Sequence, residues 1–113
     1  MTETVRSAML SRGWSEMDQD LIERGGVILS LSEEEGRIVL NMIFVNQEVR
    51  GTGAGRGIIQ ELISIAARRW KRLITTVEDI GISPDGHSNI RFYEKSGMHI
   101  IGTDRHGRVL MSS

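Results

Sequence analysis

Two segments dominate the pattern of apolar and polar positions along this chain, one with a helical period and one almost continuously apolar. From Ile58 to Trp70, apolar residues recur every three or four positions, which predicts an amphipathic helix. The stripe expected to be buried comprises Ile58, Ile59, Leu62, Ile63, Ala66 and Trp70. From Arg37 to Val45 almost every residue is apolar, and Asn41 is the polar interruption. That run predicts a central strand buried on both faces.

The rest of the pattern divides into short elements separated by glycine-rich or polar turns. We predict helices over 1–13, 15–24 and 88–96, and strands over 27–31, 37–45, 73–80, 98–103 and 109–112. The first two strands flank a polar turn and should form an antiparallel hairpin. The order of elements predicts one mixed α/β domain over 1–113, with a helical N-terminal part over 1–25 and a core over 26–113.

Composition excludes several classes of chemistry. A chain of 113 residues is long enough for one hydrophobic core. Because there is no cysteine, disulfides, thiolate catalysis and zinc–cysteine sites are excluded, and we expect a cytoplasmic protein. The histidines have no metal-ligand spacing, so we expect no metal. No apolar run is long enough to span a membrane, so we expect no membrane partner.

Charge is distributed unevenly although the net charge is −1. Residues 1–48 hold nine acids and four arginines, whereas residues 49–113 hold ten bases and six acids. This asymmetry predicts an anionic ligand for the second half and favours a cationic acceptor near the first. The alternative is that both halves present ordinary solvated faces.

A glycine-rich loop, Arg50–Gly57, joins the apolar strand to the amphipathic helix. Glycines let several backbone N–H groups converge on one point, and the helix N-terminus adds partial positive charge there. The chain has no Gly-Lys pair, which excludes a P-loop, and no register of the loop fits G-x-G-x-x-G. The loop therefore predicts an anion site of another class.

Two segments resemble the signatures of the GNAT superfamily, the acetyl-CoA-dependent N-acetyltransferases. The first pattern is V-x-P-x-[YF]-[RQ]-G-x-G-[IVAL]-G-x-x-L, and it is matched by Val45, Arg50, Gly51, Gly53, Ala54 and Gly55. Gln47 stands in place of the proline and Val49 in place of the aromatic residue. The second, A-x-x-F-Y-E-K-x-G-F, is similar to Ile90–Met98. In size the chain resembles compact phage-encoded or toxin-like members.

The resemblance implies a GNAT-like domain whose mostly antiparallel central sheet has one parallel, splayed strand pair and flanking helices. It implies acetyl-CoA as cosubstrate, with the pantetheine arm paired to the backbone of Ile43, Phe44 and Val45. The loop backbone would bind the pyrophosphate, through Arg50, Gly51, Thr52, Gly53, Ala54, Gly55 and Arg56. The core over 26–113 would then be the cofactor-binding part.

The resemblance also assigns candidate catalytic residues. Tyr93 aligns with the tyrosine that protonates the departing thiolate, although it is also explained as a helix residue packed beside Phe92. The general base stays open between Glu78, its neighbour Asp79 and a water molecule. Many members contact the cofactor with an asparagine where this chain has Gly86; Asn89 is the candidate substitute, or else an N-cap.

The expected activity is transfer of an acetyl group to a primary amine by direct attack. The acceptor is a protein lysine, an N-terminus or a small amine. The alternative is a non-catalytic acyl-CoA-binding or regulatory module. Because only about 25 residues precede the first predicted strand, we expect a minimal form of the domain that completes its sheet as a homodimer. Nucleic acid is not an expected partner, because the basic cluster Arg68–Arg72 lacks a set of interleaved aromatic residues and the chain has no overall positive charge.

Overall fold

The computed structural model describes residues 4–18, 20–77 and 89–113. The helices are α1 (Val5–Leu10), α2 (Ala54–Arg68) and α3 (Asn89–Lys95), with a 3-10 turn at Gln47–Val49. The strands are β1 (Ser15–Asp18), β2 (Leu21–Arg24), β3 (Val27–Glu34), β4 (Arg37–Val45), β5 (Arg72–Val77), β6 (His99–Thr103) and β7 (Val109–Ser112). They form one sheet in the order β1-β2-β3-β4-β5-β7-β6.

The sheet is mostly antiparallel, and β4 and β5 are its parallel pair. This confirms the predicted mixed α/β domain with one parallel strand pair. The hairpin of β3 and β4 is also confirmed. α2 connects the parallel strands, so its N-terminus follows the carboxyl end of β4.

The predicted helix over 15–24 is wrong, because this segment forms the hairpin of β1 and β2. Ile22 is buried and pairs with Leu29 of β3, so β2 extends the edge of the sheet. Pairing with an existing strand outweighs a weak local helix preference. The region before β3 therefore contains one helix and two strands.

The prediction that β4 is buried on both faces is also wrong, and a β-bulge is the reason. Ser30 pairs with Met42 while Leu31 pairs with Leu40, so Asn41 is the extra residue on β4. A bulge shifts the alternation of side chains by one position. Apolar residues before the bulge and apolar residues after it therefore point to the same face of the sheet, towards the core. The apolar run does not require burial of both faces of β4. Beyond it, Met42 and Phe44 are exposed, whereas Ile43 and Val45 pack against the core.

α2 confirms the predicted amphipathic helix except at its end. Its buried face includes Ile58, Ile59, Leu62, Ile65 and Ala66. Trp70, expected in that stripe, is 94% exposed and has a φ of 60°. The Lys71 N–H donates to the Ala66 carbonyl at 2.9 Å, and the Trp70 N–H to that of Ala67 at 3.1 Å. Trp70 thus holds the left-handed position of a Schellman-type end, where a non-glycine residue costs about 1 kcal/mol.

Glu33 of β3 joins α1 to the C-terminal end of α2. Its carboxylate accepts from the Val5 N–H at 2.8 Å and from Arg69 and Lys71 at 2.9 Å each. Desolvation raises the pKa of Glu33, but hydrogen bonds from Lys71, Val5 and Arg69 outweigh it and lower the pKa from 4.5 to about 2. Two residues of the basic cluster at this helix end, Arg69 and Lys71, therefore stabilise the fold by pairing with Glu33.

Candidate functional site

The candidate site begins where β4 and β5 separate. Their parallel pairing runs from Arg37 opposite Arg72 to Leu40 opposite Thr75. β4 then continues to Val45, and within the described ranges its last five residues have no partner on the β5 side. The bulge at Asn41 lies at this same point. Among the described residues, a wedge bounded by an unpaired edge of β4 therefore opens at the carboxyl end of the parallel pair.

The glycine loop follows the free end of β4 and leads into α2. Gly51 and Gly53 have φ values of 79° and 86°, in the left-handed region that glycine tolerates. Gly53 is the N-cap of α2 and provides no side-chain cap, and the first turn of the helix contains no acid. Ala54 N–H donates to the Thr52 hydroxyl at 3.3 Å.

Several backbone donors of this loop are free. The N–H groups of Gly51, Gly53, Gly55 and Arg56 donate to no acceptor in the part of the chain that the structure describes. Free N–H groups at a helix N-terminus bind anions, because they add to the positive end of the helix dipole. The structure thus brings four of the predicted loop residues together with free N–H groups, an arrangement that suits an anion.

Arg50 does not direct its guanidinium group to that site. Its Nε donates to the Val45 carbonyl at 2.9 Å, and its guanidinium carbon lies 5.8 Å from the centre of the Phe44 ring. The side chain therefore folds back over the end of β4. It fixes the strand end rather than presenting charge to the anion site. The Arg56 side chain, in contrast, is exposed and forms no ion pair with any described residue.

Gly55 joins the loop to α3. A Cβ atom on Gly55 would lie 3.1 Å from Cγ2 of Val45 and 3.2 Å from Cζ of Phe92. The absence of a side chain lets the start of α2 pack against both β4 and α3. The two motif segments found in the sequence are therefore in direct contact, although 37 positions separate Gly55 from Phe92.

Tyr93 lies next to the point where the strands separate. It is buried, and its ring meets Phe92 edge-on with 5.2 Å between centroids. Burial raises the pKa of Tyr93 above 10.0, and interaction with the Thr75 side chain lowers it. Thr75 belongs to the last β4–β5 pair, and its hydroxyl donates to the Leu40 carbonyl at 2.9 Å. A neutral phenol is thus held beside the apex of the wedge.

Thr75 is a site residue that the sequence does not single out. A lone threonine in a β-branched strand carries no motif that would distinguish it. The bulge is likewise not predicted, although it lies at Asn41, the polar interruption of the apolar strand. Such a residue within an apolar strand is a usable sign of a bulge.

The remaining candidates lie wholly or partly outside the described residues. Glu78, Asp79 and Gly86 fall in the segment 78–88. Asn89 begins α3, and its side chain lies outside the described part. Among residues 4–18, 20–77 and 89–113, no cluster of three or more histidine, aspartate or glutamate side chains suits a metal ion. In the same residues, no helix has the length and apolar character needed to cross a membrane.

Comparison with known protein families identifies the family of the chain. Residues 14–98 match the acetyltransferase (GNAT) family. The chain belongs to the GNAT family. The match includes the wedge, the glycine loop and α3, so the family resemblance of the two motifs is confirmed. A comparison with curated protein sequences found no match.

Solved structures share the fold of this GNAT domain. The anti-CRISPR protein AcrVA5 is 24% identical over 82% of this chain and 96% of its own, with a TM-score of 0.62. The PaiA N-acetyltransferase of Thermoplasma acidophilum, solved with coenzyme A, is 17% identical over 77% of this chain, with a TM-score of 0.61. Nourseothricin acetyltransferase is 24% identical over 82% of this chain, with a TM-score of 0.56.

Two of these three neighbours are much longer than the chain. The matched region is 52% of PaiA and 56% of nourseothricin acetyltransferase, against 96% of AcrVA5. At this level of identity the structures establish the fold, and they leave the acceptor of this chain open.

Proposed function

We propose that this protein transfers the acetyl group of acetyl-CoA to a primary amine by direct attack. The observation that carries the proposal is the set of four free N–H groups at the start of α2. They fit the pyrophosphate of coenzyme A, which needs several converging donors and little side-chain bulk. The unpaired edge of β4 offers the backbone of Ile43, Phe44 and Val45 to the pantetheine arm. The Val45 carbonyl would pair with the pantetheine arm while it still accepts the hydrogen bond from Arg50 Nε.

Tyr93 is the proposed proton donor to the departing thiolate. The phenol O–H bond breaks, an S–H bond forms, and solvent later returns a proton to the phenolate. A phenol whose pKa is raised by burial stays protonated at neutral pH, which is the form that this step requires. Thr75 would then stabilise the transient phenolate, because its hydroxyl can turn from the Leu40 carbonyl and donate to it.

The proposal also names a general base and a class of amine acceptor. Attack requires a neutral amine, so a carboxylate or a water molecule must take its proton. Glu78 is the proposed base, with Asp79 or water as alternatives. A protein lysine, a protein N-terminus or a small amine is the proposed acceptor. We also propose a homodimer in the cytoplasm; analytical ultracentrifugation of the purified chain tests its oligomeric state.

The second candidate function is an acyl-CoA-binding module without turnover. The observation in its favour is that Tyr93 packs within the hydrophobic core, a position that its ring explains without catalysis. Both functions need the loop, and they differ in whether thiol is released.

Thiol release from acetyl-CoA tests the two functions. We expect release that depends on an added amine or protein acceptor and falls 100-fold or more, roughly, in Tyr93→Phe. Coenzyme A affinity should be unchanged in that variant, because the phenol does not contact the pyrophosphate site. Binding without acceptor-dependent release, in wild type and Tyr93→Phe alike, would establish the module. Absence of any coenzyme A binding would contradict both functions.

A further inference from the structure

The carboxyl end of β4 is held differently on its two sides. On the β3 side, Val45 pairs with Val27, and the Asn46 N–H donates to the Gly26 carbonyl at 2.8 Å. Backbone groups of successive strand residues point to opposite sides of the strand. Because the Asn46 N–H points to β3, the N–H and carbonyl of Val45 point to the other edge. Among the described residues, that edge has no strand partner.

The Arg50 side chain lies on this open edge. Its Nε donates to the Val45 carbonyl at 2.9 Å. Its guanidinium carbon is 5.8 Å from the centre of the Phe44 ring, which is within the range of a cation–π contact. The backbone N–H of Arg50 donates to the Gln47 carbonyl at 3.3 Å. Arg50 is therefore held in place from its backbone to its guanidinium group.

This contact joins the two parts of the proposed coenzyme site. Val45 is the last residue of β4, whose open edge is proposed to pair with the pantetheine arm. Gly51, the first of the free loop donors, directly follows Arg50. A strand end without a neighbour frays readily, and a ligand that binds two places at once gains affinity when their spacing is already fixed. The bond from Arg50 to Val45 fixes this spacing.

We propose that the Arg50 side chain is a positioning residue for coenzyme A. It holds the edge of β4 and the glycine loop at the spacing that the pantetheine arm and the pyrophosphate require together. It acts through its Nε–H donor and does not contact the pyrophosphate. This inference rests on the proposed binding of coenzyme A, and it gives a role in binding to a side chain that is directed away from the anion site.

Two substitutions separate the donor of Arg50 from its charge. Glutamine has its amide nitrogen the same number of bonds from Cα as arginine Nε, so Arg50→Gln keeps a neutral donor within reach of the Val45 carbonyl. Arg50→Met has an unbranched side chain without a donor, and both variants lose the charge. Calorimetry should show coenzyme A binding to Arg50→Met about five- to tenfold more weakly than to Arg50→Gln, the effect of one hydrogen bond.

The same pair of substitutions at Arg56 is the matched control. The Arg56 side chain is exposed in the first turn of α2, and its expected contribution to anion binding is its charge. Arg56→Gln and Arg56→Met should therefore weaken coenzyme A binding equally. Arg68→Met removes an exposed arginine at the opposite end of α2 and should bind like wild type. Thermal melting checks that each variant is folded.

Nuclear magnetic resonance of the arginine side chains adds a measurement on the wild-type chain. The Arg50 Nε–H signal, identified by its absence in Arg50→Gln, should exchange slowly with water. It should remain slow after coenzyme A is added, because the carbonyl oxygen of Val45 can accept two hydrogen bonds.

The possible failures are distinguishable. Equal coenzyme A affinities of Arg50→Gln and Arg50→Met, in a chain that binds coenzyme A, would overturn the inference and assign the contribution to charge. Rapid exchange of the Arg50 Nε–H signal in the free chain would also overturn it. Failure of the wild type to bind coenzyme A would instead refute the proposed function, and the role of Arg50 with it.

Discussion

The two ends of α2 are built in opposite ways. At the N-terminal end, the cap is a glycine without a side chain, the first turn contains no acid, and four N–H groups have no acceptor among the described residues. At the C-terminal end, the Ala66 and Ala67 carbonyls accept from residues 69–71. There Glu33 also binds Arg69 and Lys71.

This difference separates binding from stability along one helix. Polar groups left without partners at a helix end cost stability but remain available to a ligand. Polar groups that already have partners within the protein hold its elements together and are less available to bind a ligand. Changes at the N-terminal end should therefore alter ligand affinity, and changes at Glu33 should alter stability.

The largest expected effect is that of Arg56→Glu. A carboxylate in the first turn favours the helix dipole, so stability should rise by about 0.5 kcal/mol. The same charge lies in the helix turn that holds the proposed pyrophosphate site, so coenzyme A affinity should fall by roughly 10- to 100-fold. Calorimetry and thermal melting measure the two effects. Gln60→Glu, exposed one turn further along, is the control and should change affinity little. Unchanged affinity in Arg56→Glu would place the anion elsewhere.

Glu33→Gln should lower stability and leave coenzyme A affinity nearly unchanged, the reverse of Arg56→Glu. Removing the carboxylate leaves Arg69 and Lys71 unneutralised, and we expect a loss of about 2 kcal/mol in the free energy of unfolding. Coenzyme A affinity should stay within about twofold of wild type, because the site is a helix length away. Glu34→Gln removes an exposed ion pair with Arg37 and should cost under about 0.5 kcal/mol. Denaturant unfolding compares the two variants.

The same carboxylate gives a pH dependence with a defined sign. Its pKa is lowered from 4.5 to about 2, so the folded state binds fewer protons than the unfolded state across that window. The contribution of Glu33 is present above about pH 4.5 and should be lost as the pH falls towards 2. The wild-type minus Glu33→Gln difference in unfolding free energy should shrink over this range. A constant difference would contradict the ion cluster.

Two glycines near the open end should respond oppositely to alanine. A Cβ on Gly55 would press on Val45 and Phe92, whereas one on Gly57 would meet nothing within 4 Å. Gly55→Ala should therefore destabilise the protein by about 1 kcal/mol. Gly57→Ala should stabilise it by about 0.5 kcal/mol, because alanine favours a helix. Equal effects in thermal melts would refute the close packing of α2 on α3.

The smallest effect concerns Tyr93, the single tyrosine of the chain. Ultraviolet titration of tyrosinate absorbance therefore reports this residue alone. Because burial raises its pKa, the midpoint should lie above 10.0 in the folded protein. Thr75→Val should raise it further by removing a polar neighbour, while Thr75→Ser should restore it. A midpoint at the usual value would mean that the phenol is open to solvent.

The sequence predicted what depends on local pattern. Periodicity located α2, and two motifs located the glycine loop and Tyr93, because short-range spacing encodes both. Partners distant in the chain were not predictable. β2 forms against Leu29 rather than from its own preference, and Trp70 is exposed because the helix ends at Arg68, before the hydrophobic pattern does. Glu78, named as the base, lies outside the described residues and stays a prediction.

Backbone amide NMR tests the central claim most directly, because it observes the groups proposed to bind the anion. On addition of coenzyme A to the full chain, the account predicts the largest shifts at the N–H groups of Gly51, Gly53, Gly55 and Arg56. The amides of residues 69–71 should move little. Absence of binding, or shifts centred on the C-terminal end of α2, would contradict the assignment of the open helix end as the coenzyme site.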